Sequence, residues 1–295
     1  MIERLIKFYQ LSDPGSESGM NKFWAIICAN IGMVIRKALA SGDVASVAKV
    51  LETSVANNYN HGIEDVVNWQ HYGNGNKFYR QAMAEGLNMA LPNFLGFKNE
   101  MGAPMGFISH SIMSLIIRDH NGGKYPTQML EIGPGLGFMA VAMFRVGVKS
   151  YTMIDLPSNA VPAAYVVMKC IGEENVWLYG EPENDAAVRV FPSTNYWDVM
   201  ARKYDVIYNK NSFPEIPNHA QDDYLEVIAD CLDMNGFFIS VNHEHLVWEQ
   251  RPLPEAIKLH PSLKRISREP FSDMIAQNTM LEDLPGYFKE IYRRG

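Results

Sequence analysis

Cysteine is scarce and scattered. Only three occur in 295 residues, Cys28, Cys170 and Cys231, each among apolar neighbours. No CxxC pair and no Cys/His ligand spacing is present, which excludes a zinc-finger scaffold and a disulfide framework. Three buried thiols in a reducing cytoplasm are expected instead. Basic tracts are missing too: 26 Lys and Arg stand against 33 Asp and Glu, a net charge of −7. That balance argues against nucleic acid as a partner and favours a small or neutral substrate. Long apolar runs are also absent. The longest, "FWAIICANIGMVI" from Phe23 to Ile35, has 13 residues and contains Asn30, too short to span a bilayer. It begins late, after "LSDPGSESG", unlike a signal peptide. A buried helix in a cytoplasmic protein with no membrane partner is the expectation. Its apolar face is also a candidate surface for a homodimer. Neither internal repeats nor low-complexity tracts occur.

Hydrophobic residues make up 47% of the chain, enough for a sizeable core. The pattern changes near residue 125. Residues 1–124 read as a helical N-terminal cap that covers the substrate. In "GDVASVAKVLETSVANN" apolar residues recur at three and four behind Asp43, a natural N-cap. "NKFYRQAMAEGLNMA" and "FISHSIMSLIIRDH" are further helices, joined by the Gly/Pro-punctuated "LPNFLGFKNEMGAPMG". Residues 125–295 alternate short apolar runs with helical ones. "QMLEIG", "SYTMIDL", "NVWLYG", "YDVIYN" and "GFFISVN" read as strands. "FMAVAMFRVG", "NAVPAAYVVMKCIG" and "DDYLEVIADCLD" read as helices. Such alternation predicts a parallel sheet covered on both faces. "LKRISREP" and "YFKEIYRR" add two strand-like runs at the end, suited to antiparallel pairing at the sheet edge.

The chemistry concentrates where the first strand ends, in "MLEIGPGLGFMA". Gly133, Gly135 and Gly137 let the chain turn sharply and let a ligand approach the backbone. A dinucleotide fingerprint, GxGxxG, requires glycine at position 138, where this chain has Phe138. Pro134 also removes one backbone donor, tolerable where no pyrophosphate must be cradled. An acid at Glu131 instead suits a ligand with a cationic amino-acid head and an uncharged ribose linkage. Asp155, with Leu156 after it, closes the second strand 22 residues beyond Gly133 and can accept hydrogen bonds from ribose hydroxyls. Tyr179, Gly180 and Glu181 end the third strand and are candidates for an adenine pocket. S-adenosylmethionine meets that description.

"LEIGPGLG", "MIDLP" and "YDVIYNKNSFPEI" resemble the successive motifs of class I S-adenosylmethionine-dependent methyltransferases over residues 125–295. The resemblance implies a Rossmann-like α/β fold with a seven-stranded sheet and an antiparallel final strand. It also implies S-adenosylmethionine as cofactor and S-adenosylhomocysteine as product. A closer likeness is to bacterial proteins described as sugar O-methyltransferases, through Asp155–Pro157, Asn211–Glu215 and Glu290–Arg294. It implies a sugar or polyol hydroxyl as the methylated group. O-methylation of a hydroxyl needs a base, and histidine is the commonest. In "SVNHEHL", His243 and His245 are two apart and point the same way on extended backbone; they are candidate catalytic residues, or loop histidines facing solvent. Glu215 is a second candidate base, or an acid at a helix N-terminus. Asn209 is placed with the cofactor-binding residues. Asn211, His110, Tyr79 and Arg80 are candidate substrate contacts. No metal is expected: "YNKN" offers amides without a carboxylate, and "HEH" lacks the i,i+4 spacing of a helical pair. N- or S-methylation of another small metabolite remains open, as does a non-catalytic partner subunit that keeps the fold.

Overall fold

A computed structural model describes residues 1–12, 33–60, 81, 84, 105–243, 251–271 and 287–295. In chain order its elements are α1 (Ile2–Leu11), α2 (Met33–Ser41), α3 (Val44–Asn60), α4 (Met105–His120), β1 (Met129–Ile132), α5 (Phe138–Arg145), β2 (Tyr151–Asp155), α6 (Pro157–Ile171), β3 (Val176–Leu178), β4 (Val188–Pro192), β5 (Tyr204–Lys210), α7 (Asn218–Cys231), β6 (Leu232–His243), α8 (Leu253–Ile257), β7 (Leu263–Pro270) and β8 (Tyr287–Arg294).

The strands form one mixed sheet in the order β3-β4-β2-β1-β5-β6-β8-β7. The strands from β3 to β6 pair in parallel. β8 lies antiparallel between β6 and β7, as the two terminal strand-like runs suggested. The expected count of seven needs correction: the described residues give eight. The additional strand is β4, inserted between β2 and the strand at "NVWL". Its five residues include Arg189 and end in Pro192, which breaks the apolar signature of a buried strand. Arg189 is nevertheless buried. Its guanidinium lies over the Trp177 ring, 5.0 Å from the centroid, and bonds to Glu183 (2.7 Å) and the Asn184 carbonyl (2.6 Å).

Two apolar layers enclose the sheet. One joins α1–α6 with Met129, Met153, Tyr208 and Val241; the other joins α7 and α8 with Leu130, Ile132, Ile207 and Phe238. Successive strand residues face opposite layers, as a period of two demands. The first layer is continuous from the helices before residue 125 to those after it. In α1, Leu5, Phe8 and Tyr9 are buried at helical spacing; in α3, Val47, Leu51 and Val55 repeat every four residues. Asp43 starts α3 by accepting the Ser46 amide (2.8 Å), and that capping holds its carboxyl below the usual range. α6 is apolar nearly all round and buried, because it lies between the sheet and α1 and α3.

Of the cysteines, Cys170 is half-buried and Cys231 buried, both as free thiols; Cys28 lies outside the described residues. Burial pushes their pKa values up to about 12 and about 11, so both stay protonated. No helix among the described residues is long and apolar enough to cross a membrane.

Candidate functional site

The neighbours of β1 in the sheet, β2 and β5, connect onward in opposite directions, so the carboxyl end of β1 is the switch point of the fold. In open α/β sheets that crevice is where ligands bind. Gly133–Gly137 lies at it. The Gly137 amide bonds to the Pro134 carbonyl (2.9 Å), closing a four-residue turn that delivers the chain into α5.

The three glycines adopt left-handed backbone, with φ of +70°, +57° and +74°, for different reasons. A Cβ on Gly133 would lie 2.2 Å from Ser212 Oγ in the loop after β5. On Gly137 it would lie 2.5 Å from the Val167 side chain of α6. On Gly135 it would meet nothing within 4 Å. The first glycine lets two loops touch and the third lets two helices touch. The middle one is exposed, with open space around it. Phe138, which stands where a dinucleotide motif needs glycine, packs edge-on against Phe107 of α4 at 5.9 Å between centroids.

Asp155 ends β2 beside the loop. Its Oδ1 accepts the Leu156 amide (2.7 Å) and the Asn159 side chain (3.5 Å), which fixes the carboxylate at the start of α6. Glu131 lies beneath the loop and is 1% exposed. The Tyr151 hydroxyl donates to its Oε2 (2.6 Å). Burial, opposed by that bond and aided by Asp155, pushes the Glu131 carboxyl up to about 8. Lys210, itself buried, offsets part of this rise and donates to Ser109 Oγ of α4 (2.6 Å). Two carboxyl groups of unlike environment therefore adjoin the glycine turn, Asp155 beside it and the buried Glu131 beneath it.

The other flank is built from β5, β6 and α4. Asn209 is fully buried. Asn211 follows in left-handed backbone, φ +59°, and its amide bonds to the Val241 carbonyl (3.0 Å). Glu215 is half-buried in the single 3-10 turn Phe213–Glu215, rooted by Phe213 in the layer of α7. His243 is the last residue of β6 and half-buried; by alternation it shares the face of Val241, toward α4. His110 of α4 points to the same region, its ring 6.4 Å from Tyr208 and 6.3 Å from Phe138. His245, Tyr79 and Arg80 lie outside the described residues.

Glu131, Gly133, Gly135, Gly137, Asp155, Leu156, Asn209 and Asn211 thus meet at the ends of β1, β2 and β5. Tyr179, Gly180 and Glu181 do not. With β4 inserted, they end a strand separated from β1 by two others. Glu181 is engaged by Arg4 of α1 through two bonds of 2.7 and 2.8 Å, and Gly180 abuts Leu11. Only Tyr179 reaches back, its hydroxyl accepting from Asn195 (2.9 Å) in the segment after β4. Because Asp155 pairs with Pro192, the segment that follows the strand beside β2 is Ser193–Asn195 and not residues 179–181.

Sequence reasoning missed Tyr151, Lys210, Asn242 and Asn195. The first two are a polar residue in an apolar strand and a lysine ending one. Such interruptions are the available signal, since a buried polar group needs a partner. Among the described residues no three metal-ligating side chains cluster.

No protein-family model matches the chain, and no curated protein matches it in sequence. Solved structures resemble it at a distance. The N-methyltransferase NodS from Bradyrhizobium japonicum WM9, in complex with S-adenosyl-L-homocysteine, is 12% identical over 74% of this chain and 99% of that one, with a TM-score of 0.46. An S-adenosylmethionine-dependent methyltransferase from Clostridium acetobutylicum ATCC 824 is 13% identical over 64% and 92%, TM-score 0.44. The ribosomal protein L11 methylase from Lactobacillus delbrueckii subsp. bulgaricus is 13% identical over 64% and 80%, TM-score 0.41. Likenesses this distant transfer no activity.

Proposed function

We propose that the chain is an S-adenosylmethionine-dependent methyltransferase acting on a small polar acceptor, a sugar or polyol hydroxyl. One observation carries the reading: a glycine turn at the switch point, open at Gly135, with a buried acid beneath it and Asp155 beside it. That arrangement fits a ligand with a cationic head and a ribose. Asp155 accepts from the ribose hydroxyls, held in place by Leu156 and Asn159. Glu131 attracts the ammonium head once its own proton has left. The backbone of Gly133–Gly137 takes the ligand's body against it, and the segment Ser193–Asn195 borders the base.

Bound S-adenosylmethionine would supply an electrophilic methyl group for the acceptor oxygen, with S-adenosylhomocysteine as the leaving group. His243 receives the hydroxyl proton as that bond forms. Asn211 and His110 hold the acceptor from either side.

The test is methyl transfer from labelled cofactor to a panel of monosaccharides, polyols, amines and thiols, with wild type and His243→Ala. Label in a sugar or polyol, falling about a hundredfold or more without His243, supports the reading. Label in an amine or thiol at a rate His243→Ala leaves unchanged points instead to N- or S-methylation.

A further inference from the structure

A chain of side-chain amides crosses the carboxyl ends of three strands behind the glycine turn. Asn209 of β5 donates through Nδ2 to the carbonyl oxygen of Ile132 (2.8 Å) and to Ser212 Oγ. Its Oδ1 accepts from Nδ2 of Asn242 on β6 (2.8 Å), which also donates to Ser240 Oγ (2.6 Å). Sheet register permits this: Ile132 lies opposite Asn209, and Asn209 opposite Ser240. Ile132 is the residue from which the backbone turns into Gly133.

The direction of the chain is set at one end. A carbonyl only accepts, so Asn209 must turn its NH2 toward Ile132 and its oxygen toward Asn242. Asn242 must then answer with a donor. This orientation leaves Asn242 Oδ1 buried with no hydrogen-bond partner among the described residues. A buried acceptor left so costs stability. The same amide of Asn209 holds Ser212, whose hydroxyl would lie 2.2 Å from a Cβ on Gly133.

We propose that Asn242 is a positioning residue: it fixes the amide of Asn209 in the one orientation that anchors the Ile132 carbonyl, and so sets where the cofactor turn begins. The inference rests on the cofactor assignment above. It makes β6, which ends at His243 directly after Asn242, a mechanical part of the cofactor site as well as of the acceptor flank.

Two isosteric variants of the full chain test it, Asn242→Asp and Asn209→Asp. A protonated aspartic acid keeps one of the two donated hydrogen bonds of the amide, enough for the bond along the chain; an ionised one offers only acceptors to an acceptor. Burial raises the pKa of such an acid into an accessible range. S-adenosylhomocysteine affinity is measured by calorimetry for each variant and wild type between about pH 5.5 and about pH 8.5, with circular dichroism at each pH. The ratio of variant to wild-type Kd is expected to stay within about threefold at the acid end and to rise tenfold or more at the alkaline end, with the fold intact. A ratio that does not change with pH, or a loss that tracks global unfolding, overturns the positioning role while the cofactor assignment stands. Wild type that binds no S-adenosylhomocysteine removes the cofactor assignment, and this inference with it.

Discussion

At Gly137 a β-carbon would press on Val167 at 2.5 Å and on the Ala163 carbonyl at 3.2 Å, in backbone with φ +74°. Gly137→Ala therefore combines left-handed strain with overpacking and is expected to lower stability by about 3–4 kcal/mol in urea unfolding. Gly135→Ala meets no atom and loses only about 1–2 kcal/mol from its backbone. Its methyl enters the crevice instead, so S-adenosylhomocysteine affinity is expected to fall about tenfold or more. The opposite ranking would mean that the crevice at Gly135 does not hold the ligand. Glu131 sets a second test. Folded, it keeps its proton up to about pH 8, against 4.5 for an ordinary glutamate. Between those values the folded chain binds more protons than the unfolded one, so stability falls as pH rises, by up to about 1.4 kcal/mol per unit, and levels off above. Tyr151, Asp155 and Lys210 surround the group, and the comparison with Glu131→Gln isolates it. The wild-type denaturant midpoint should decline more steeply than that of Glu131→Gln from about pH 5.5 to about pH 8. Parallel curves would show that Glu131 is already ionised. Cofactor affinity should climb over the same range in wild type alone, because the proton must leave before a cation is favoured.

Among elements, Arg4 ties α1 to the sheet edge. Arg4 bonds both oxygens of Glu181 and the carbonyls of Glu173 (2.9 Å) and Val176 (2.6 Å), the second of them a β3 backbone acceptor. An exposed edge invites pairing with another chain; Arg4 and α1 cover this one. The Arg4 and Glu181 side chains are 29% and 20% exposed, so screening weakens but does not remove the pair. Arg4→Ala is expected to cost about 1–2 kcal/mol and to speed amide exchange in α1 and β3. S-adenosylhomocysteine affinity should change less than about twofold, since the glycine turn lies beyond β4 and β2. A larger loss would mean that the contact from Tyr179 to Asn195 carries the edge into the base pocket. The same region shows where local pattern ran out. "MLEI", "YTMID" and "VIYN" read as strands because buried strands are continuous apolar runs. "VRVFP" did not, because its arginine is balanced by Glu183 and a ring across the sheet, partners six and twelve residues away.

For the molecule as a whole, the alternation of strand and helix made the α/β class legible, and the Glu131, glycine and Asp155 spacing made the crevice legible. Both are local in sequence. What was not legible depends on register. The Tyr151 bond to Glu131 needs β1 beside β2, the Lys210 bond to Ser109 spans 101 residues, and Asn242 meets Asn209 only because β5 and β6 are neighbours. Asn209 itself was visible as a candidate, but its role as an anchor for the Ile132 carbonyl required the sheet. These long-range pairs join the helices before residue 125, the crevice and the acceptor flank into one body. The central claim is that this crevice binds the methyl donor through Asp155. It is tested most directly by calorimetric titration of S-adenosylhomocysteine into wild type and Asp155→Ala. Saturable binding by wild type, weakened tenfold or more in the variant (about 1.4 kcal/mol), is the predicted result. No heat and no thermal shift with wild type, or equal affinity in the variant, would contradict it.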